Sequence, residues 1–300
     1  MNHYTAYGLA IRSELDFPGL PTIDSVDTPA DVVVRRGTVE PVPTSVVGEG
    51  QRRIRAEPQT CRLTYDGLGS IRVGEGAEIW IDPLSEDATV EFRRHIQNEV
   101  LGILIHQRGL LTLHASAVSV AGRAAVFLGP PQAGKSTTAA AFHTQGYPLL
   151  EDDVVGIHFE NDTPTVVPGV PQFRLLSDAV DALDVEATSL PVPTAETGST
   201  KCYRRVEAVP DPVPLAGCYL LRDAETLSLD SLPPRKRLFE LISKTYTAGL
   251  LSDTEATSAH FQQCAEVAET TPFRILRRPD DHQQLPSLVE LVVDDLRSSV

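Results

Sequence analysis

Gly129-Pro-Pro-Gln-Ala-Gly-Lys-Ser136 is the stretch whose reading decides the fold. It matches G-x-x-x-x-G-K-[ST], a loop whose backbone N–H groups converge on the β- and γ-phosphates of a nucleoside triphosphate. Its lysine adds a point charge and its serine hydroxyl coordinates Mg2+. The flanks carry the context that this mechanism needs. Ala124-Ala125-Val126-Phe127-Leu128 is an apolar strand entering the loop, and Lys135 to Phe142 leaves it as a helix whose N-terminus adds anion affinity. A phosphate-binding segment of Gly129, Pro130, Pro131, Gln132, Ala133, Gly134, Lys135, Ser136 and Thr137 is therefore expected, with Mg-ATP as its ligand. Pro130 and Pro131 have no N–H to donate, so the cradle must come from the residues after them.

Outward from the loop, the strand Leu111 to Val120 precedes Arg123 to Leu128, joined by Ala121-Gly122 in a hairpin. After the helix, Gly146 stops it, and an apolar stretch from Tyr147 resumes past the acids as Val154 to Phe159. This strand, helix, strand order predicts a crossover between parallel neighbouring strands, and hence an α/β (α+β) fold. Further strands are expected at 165–167, 202–206 and 215–221, helices around 237–250 and 258–268, a strand at 273–276 and a last helix from Pro286. Upstream, Phe92, Ile96, Val100 and Leu104 recur every four residues as one amphipathic helix. Before it, residues 1–90 alternate short apolar runs with Pro- and Gly-bearing turns and read as a β-rich segment or small domain. The expected division is 1–90 and 91–300. Residues 187–200, rich in Pro, Gly and small polar side chains, read as a loop or lid.

Phosphoryl transfer needs a group that deprotonates an acceptor hydroxyl, commonly an aspartate near the γ-phosphate. Asp152 and Asp153 follow the helix of the crossover and can approach the phosphate loop from the returning strand. One would hold hydrated Mg2+ and the other accept the proton; taken alone, the pair reads equally well as exposed acids at a strand start. His114 by itself reads more readily as a hydrogen-bonded core residue.

The stretch from Gly109 to Ile157 resembles the HPr kinase/phosphorylase family and its wider set of HPr-kinase-like proteins. In that family a histidine stands 21 residues before the loop lysine and an Asp-Asp pair 17 and 18 residues after it, and His114, Lys135, Asp152 and Asp153 keep both spacings. The resemblance implies a P-loop serine-kinase catalytic domain with a fold like that of phosphoenolpyruvate carboxykinase. It implies Asp153 as proton acceptor, His114 supporting it, Lys135 on the phosphates, and Ser136, with Asp152, at the Mg2+. The family's glycine-rich, glutamate-bearing signature and its C-terminal arginine segment have no counterpart here, so HPr itself and phosphorolysis are not the expected acceptor and reaction. The loop also has Pro131-Gln132 where the family usually has Ser-Gly.

The expected function is transfer of the γ-phosphoryl of Mg-ATP to a hydroxyl, serine-like, on a small molecule, peptide or protein. The alternatives are a P-loop ATPase switch, for which the 187–200 segment would be the moving part, and a non-catalytic nucleotide sensor. Lys201, Arg204, Arg205 and Arg174 stand out in an acidic chain, either as a clamp on an anion or as ion-paired surface.

Composition narrows the partners. The 300 residues carry 41 acids against 26 Lys and Arg, a formal charge of −15, and only four of the bases are lysines. Such a surface repels nucleic acid and anionic lipid, and suits concentrated salt. Cys61, Cys202, Cys218 and Cys264 show no zinc spacing and read as buried thiols. No apolar run approaches a membrane span and the N-terminus does not read as a leader, so a cytoplasmic protein is expected. Self-association is left open by the sequence.

Overall fold

The computed structural model describes residues 1–24, 29–46, 48, 52–183, 192–193 and 200–298. The chain is a mixed α/β structure that divides into two compact units, Met1–Thr112 with Thr247–Phe261, and Leu113–Tyr246 with Gln262–Val300. The sequence reading set its boundary at residue 90, whereas the first compact unit extends to Thr112 and takes in the helical segment after the strands.

The first unit is built on seven strands: β1 (Asn2–Ala6), β2 (Leu9–Ser13), β3 (Val32–Arg36), β4 (Arg52–Glu57), β5 (Thr60–Tyr65), β6 (Gly69–Gly74) and β7 (Glu78–Pro83). They form one sheet in the order β1-β2-β3-β7-β6-β5-β4. Alternation puts Leu63, Ile71, Val73, Ile79 and Ile81 wholly inside. Helix α1 (Glu86–His95) is capped by Ser85, whose side chain accepts from Ala88 N–H. It runs through a π turn, Ile96–Val100, into α2 (Leu101–Gln107).

That turn explains the four-residue apolar spacing. In a 3.6-residue helix a repeat of four drifts about 40° per step, whereas a wider turn cancels part of the drift. Leu101 N–H bonds to Ile96 O, five residues back, and Phe92, Ile96, Val100 and Leu104 all stay buried.

The second unit holds the phosphate-loop segment. Its large sheet takes β8 (Leu111–Val120), β9 (Arg123–Leu128), β10 (Leu149–Glu160), β11 (Thr163–Val167), β15 (Val213–Asp223), β16 (Ser228–Ser231) and β17 (Phe273–Arg278), in the order β11-β10-β8-β9-β15-β17-β16. A smaller sheet orders β12 (Gln172–Leu176), β14 (Thr200–Arg205) and β13 (Val192–Pro193) as β12-β14-β13. Helices α3 (Lys135–Thr144), α4 (Ser177–Ala182), α5 (Pro234–Ser243), α6 (Thr257–Thr270) and α7 (Leu285–Ser298) complete the chain.

The β8–β9 hairpin forms as expected, with Ala121 and Gly122 at φ of 51° and 75°, the left-handed pair of a tight two-residue turn. It also corrects the crossover. Strand β10 is not the neighbour of β9, because β8 is already hydrogen-bonded to that edge and α3 must carry the chain past it. The parallel neighbour of β9 is β15, which in turn pairs in parallel with β17. The three strands therefore end at one edge, where β9 opens into the loop at 129–136.

Because β9 is covered on both sides, Ala124 to Leu128 read as an unbroken apolar run and are all buried. Phe127 packs on Phe142 of α3 with ring centroids 5.2 Å apart. Leu288, Val289, Val292, Val293 and Leu296 of α7 join the same core at helical spacing. The small residues Ala139, Ala140 and Ala141 let α3 approach closely.

A second correction concerns the helix expected at 237–250. It stops at Ser243, because Lys244 O accepts from His114 N–H and Thr245 bridges to Leu113, which draws the chain out along β8. Tyr246 is thereby taken off the helix face. The strand interrupted by acids in the sequence reading is instead continuous, so Glu151, Asp152 and Asp153 lie within β10. Apart from Val192, Pro193 and Thr200, the 187–200 segment lies outside the described residues.

Candidate functional site

Four elements of the second unit bring chemistry together: the loop between β9 and α3, the first half of β8, the acid run of β10, and β12. In the loop, Pro130 O accepts from Ala133 N–H at 3.2 Å, so the exposed prolines build a turn. Gln132 takes a φ of 65° and Gly134 one of 83°, which brings the chain round into α3. Lys135 is buried, and its Nζ lies 3.3 Å from Gly129 O and 3.2 Å from Pro130 O. Ser136 is in the first helical turn, and its side chain lies close enough to Asp152 to help hold down that acid's pKa. The loop serine and the first acid are thus neighbours in space.

Asp152 is fully buried and tightly held. Its Oδ1 accepts from Ser116 Oγ at 2.6 Å and its Oδ2 from Arg174 N–H at 2.9 Å. Burial raises its pKa above the usual carboxylate value, opposed by the Ser116 and Arg174 backbone hydrogen bonds, the Arg174 charge and the Ser136 hydrogen bond. Glu151, beside it, is also buried and is pushed up to about 8 by desolvation. Its Oε2 accepts from Val170 N–H at 2.6 Å and its Oε1 from Asp152 N–H at 3.0 Å, which ties the strand to the segment entering β12.

Asp153 differs from both. It is partly exposed and stands at a φ of 126°, a conformation an L-residue adopts only under strain. Its carboxylate lies between two basic side chains: Oδ1 is 3.3 Å from His114 Nδ1, and Oδ2 is paired with Arg174 Nη1. The His114 ring in turn faces Tyr246, with centroids 6.2 Å apart. The chain path that cut α5 short is what places Tyr246 there.

Arg174 was left between an anion clamp and an ion pair by sequence. It is an ion pair, and its guanidinium is held strongly protonated because Asp153, Glu151 and Asp152 all surround it. Arg204 lies close enough to His143 to assist burial in lowering that imidazole's pKa. The side chain of Lys201 is outside the described residues.

Three residues of the site went unread. Ser116 carried one usable signal, since it is two positions from His114 on one strand and so shares its face. Glu151, next to the acid pair, is buried on Val170 N–H and Asp152 N–H, which its sequence neighbours do not announce. Arg278, at the end of β17, donates from Nη2 to Ala133 O at 3.0 Å, and no local pattern announces a contact across 145 residues.

As a metal site, the Ser136 hydroxyl and Asp152 carboxylate are the hard oxygen donors that Mg2+ takes. Among the described residues no group of three or more His, Cys, Asp or Glu could hold a metal ion. No described helix is long and apolar enough to cross a membrane.

No protein-family model matches this chain. No curated protein matches it either. Among solved structures it is similar to the Hpr(Ser) kinase/phosphatase from Coxiella burnetii, at 12% identity over 62% of this chain and 97% of that one, with a TM-score of 0.30. A likeness that slight carries no argument about what this chain does, which rests on the site itself.

Proposed function

We propose that this protein is an ATP-dependent phosphotransferase that moves the γ-phosphoryl of Mg-ATP to a hydroxyl on a small molecule, peptide or protein. The observation that carries the reading is the convergence of a lysine- and serine-bearing loop with two differently held aspartates, Asp152 buried beside Ser136 on Ser116 and the Arg174 backbone, and Asp153 between His114 and Arg174. Paired acids kept in unlike environments are a mark of divided labour.

In this reading Lys135 and the N–H groups after the prolines hold the triphosphate, reinforced by the N-terminus of α3. Ser136 and Asp152 would hold Mg2+, which supplies charge neutralisation across the β- and γ-phosphates when bound. The acceptor hydroxyl gives its proton to Asp153 as its oxygen forms a bond to the γ-phosphorus; the bond from that phosphorus to the β-γ bridging oxygen breaks, and ADP leaves with the electron pair. Arg174, paired with Asp153, holds that carboxylate in place at the site. His114, donating from Nδ1, fixes the carboxylate's orientation.

The test is to incubate the protein with γ-labelled ATP and fractionated host extract, comparing wild type with Lys135→Ala and Asp153→Asn. Label should move to an acceptor with the wild type alone. Undiminished transfer by Asp153→Asn would sink the mechanism, and undiminished transfer by Lys135→Ala would sink the site.

A further inference from the structure

Arginines at the ends of β15 and β17 are mostly neutralised. Arg222 pairs with Glu240, Arg274 with Asp295 and Arg277 with Asp230. Arg278 is the exception: among the described residues no carboxylate pairs with it, although it is only 7% exposed. Its Nη2 donates to Ala133 O at 3.0 Å, while its Nε is buried with no hydrogen-bond partner. In a chain of formal charge −15, a buried guanidinium without an acid is a costly arrangement unless an anion completes it.

Its position says which anion. Strands β9, β15 and β17 run parallel, so Arg278 stands at the sheet edge where β9 enters the phosphate loop. The guanidinium comes close to that loop: a Cβ on Gly134 would come within 2.2 Å of Nη2, so the loop's second glycine is also what lets the arginine approach. Lys135 follows directly in sequence, and the ten-residue helix α3 begins there. A fixed, forked cation beside a helix N-terminus matches the oxygens of a phosphoryl group.

The geometry points to Arg278 as a phosphate-contacting residue supplied from the far end of the chain, its guanidinium reaching non-bridging oxygens of the nucleotide held by the loop. This rests on the reading of residues 129–136 as a nucleotide site. The arginine would serve in cis the charge-stabilising role that arginine fingers serve in phosphoryl transfer. One end of the guanidinium stays anchored on Ala133 O, which keeps it oriented before the ligand arrives.

The experiment measures binding of a ribose-labelled fluorescent ATP, with Mg2+, to wild type, Arg278→Gln, Arg278→Lys, Lys135→Ala and the control Arg277→Gln. Glutamine can still donate to Ala133 O, so it removes the charge while leaving the anchor; lysine keeps the charge on a flexible stem if glutamine impairs folding, which melting curves check. Loss of a charge-assisted contact should weaken binding about 10- to 100-fold in Arg278→Gln, less in Arg278→Lys, and not in Arg277→Gln. The labelled-ATP affinity should also lose part of its salt dependence in Arg278→Gln. If folded Arg278→Gln or Arg278→Lys binds within twofold of wild type while Lys135→Ala does not bind, this inference fails and the nucleotide site stands. If wild type binds no ATP, both fall.

Discussion

Replacing Arg174 by methionine tests the electrostatic frame of the site. The side chain is buried, pairs with Asp153, and is the charge opposing three consecutive acids on β10, two of them fully buried. Methionine fills similar volume, so the loss is mainly electrostatic. Removing one partner of a buried pair costs about 3–5 kcal/mol because the other charge is left uncompensated.

The pH dependence gives the sharper signature. Glu151 already has its pKa raised to about 8 by burial, and Asp152 is raised as well; without Arg174 both move higher. From the wild-type folded values upward, the folded variant keeps protons that the folded wild type has already released, so its deficit opens as pH rises through them. Stability must fall as pH rises through that window. The deficit against wild type should be largest near pH 8 and shrink toward pH 5.

Urea denaturation followed by circular dichroism at both pH values measures it. A melting scan should show a drop of roughly 6–20 °C at pH 8, taking about 2–4 °C per kcal/mol for a unit of this size. Adding Asp153→Asn to the methionine variant should recover part of the loss. A deficit under about 1 kcal/mol at pH 8, or one equal at both pH values, would refute the reasoning.

Two further outcomes concern folding. His95 stacks on Tyr65 at 4.0 Å and is held neutral, its pKa lowered to about 4 by burial and by the Arg94 and Arg52 charges. Its unfolded value is higher, so the unfolded chain binds the extra proton and stability is lost as pH falls from about 6.5 toward 4. The loss is about 2–3 kcal/mol, and His95→Phe, which keeps the stack, should flatten that limb in urea titrations; an unchanged slope contradicts it. Phe142→Ala opens a cavity against Phe127 and Tyr147, whose ring centroids lie 5.2 Å and 5.6 Å away. It should cost about 3–5 kcal/mol in denaturant, and a cost below about 1.5 would mean that α3 is not anchored by this ring.

Local chemistry was legible before any coordinates. The loop at 129–136, the entering strand, the helix after it and the Ala121-Gly122 turn follow from short-range rules, because glycine, proline and apolar periodicity act over a few residues. That His114, Lys135, Asp152 and Asp153 belong together was suggested only by the spacings they share with a resembled family. The bounds of α6 and β17 differ from expectation by only one or two residues, since each is set by its own pattern.

What joins strands and charges across the chain was not legible. The sequence could not say that β8 stands between β9 and β10, that α5 ends early so that Tyr246 faces His114, or that Arg174 belongs to Asp153. Nor could it say that Arg278, far along the chain, rests on Ala133. An arginine looks the same in sequence whether it meets an acid, water or a backbone carbonyl, and burial decides which. The sequence alone thus determined a glycine-bearing loop between a strand and a helix, and the residue types around it. Only the tertiary structure decided which charges remain unpaired beside it, because that depends on packing between segments that no local pattern connects.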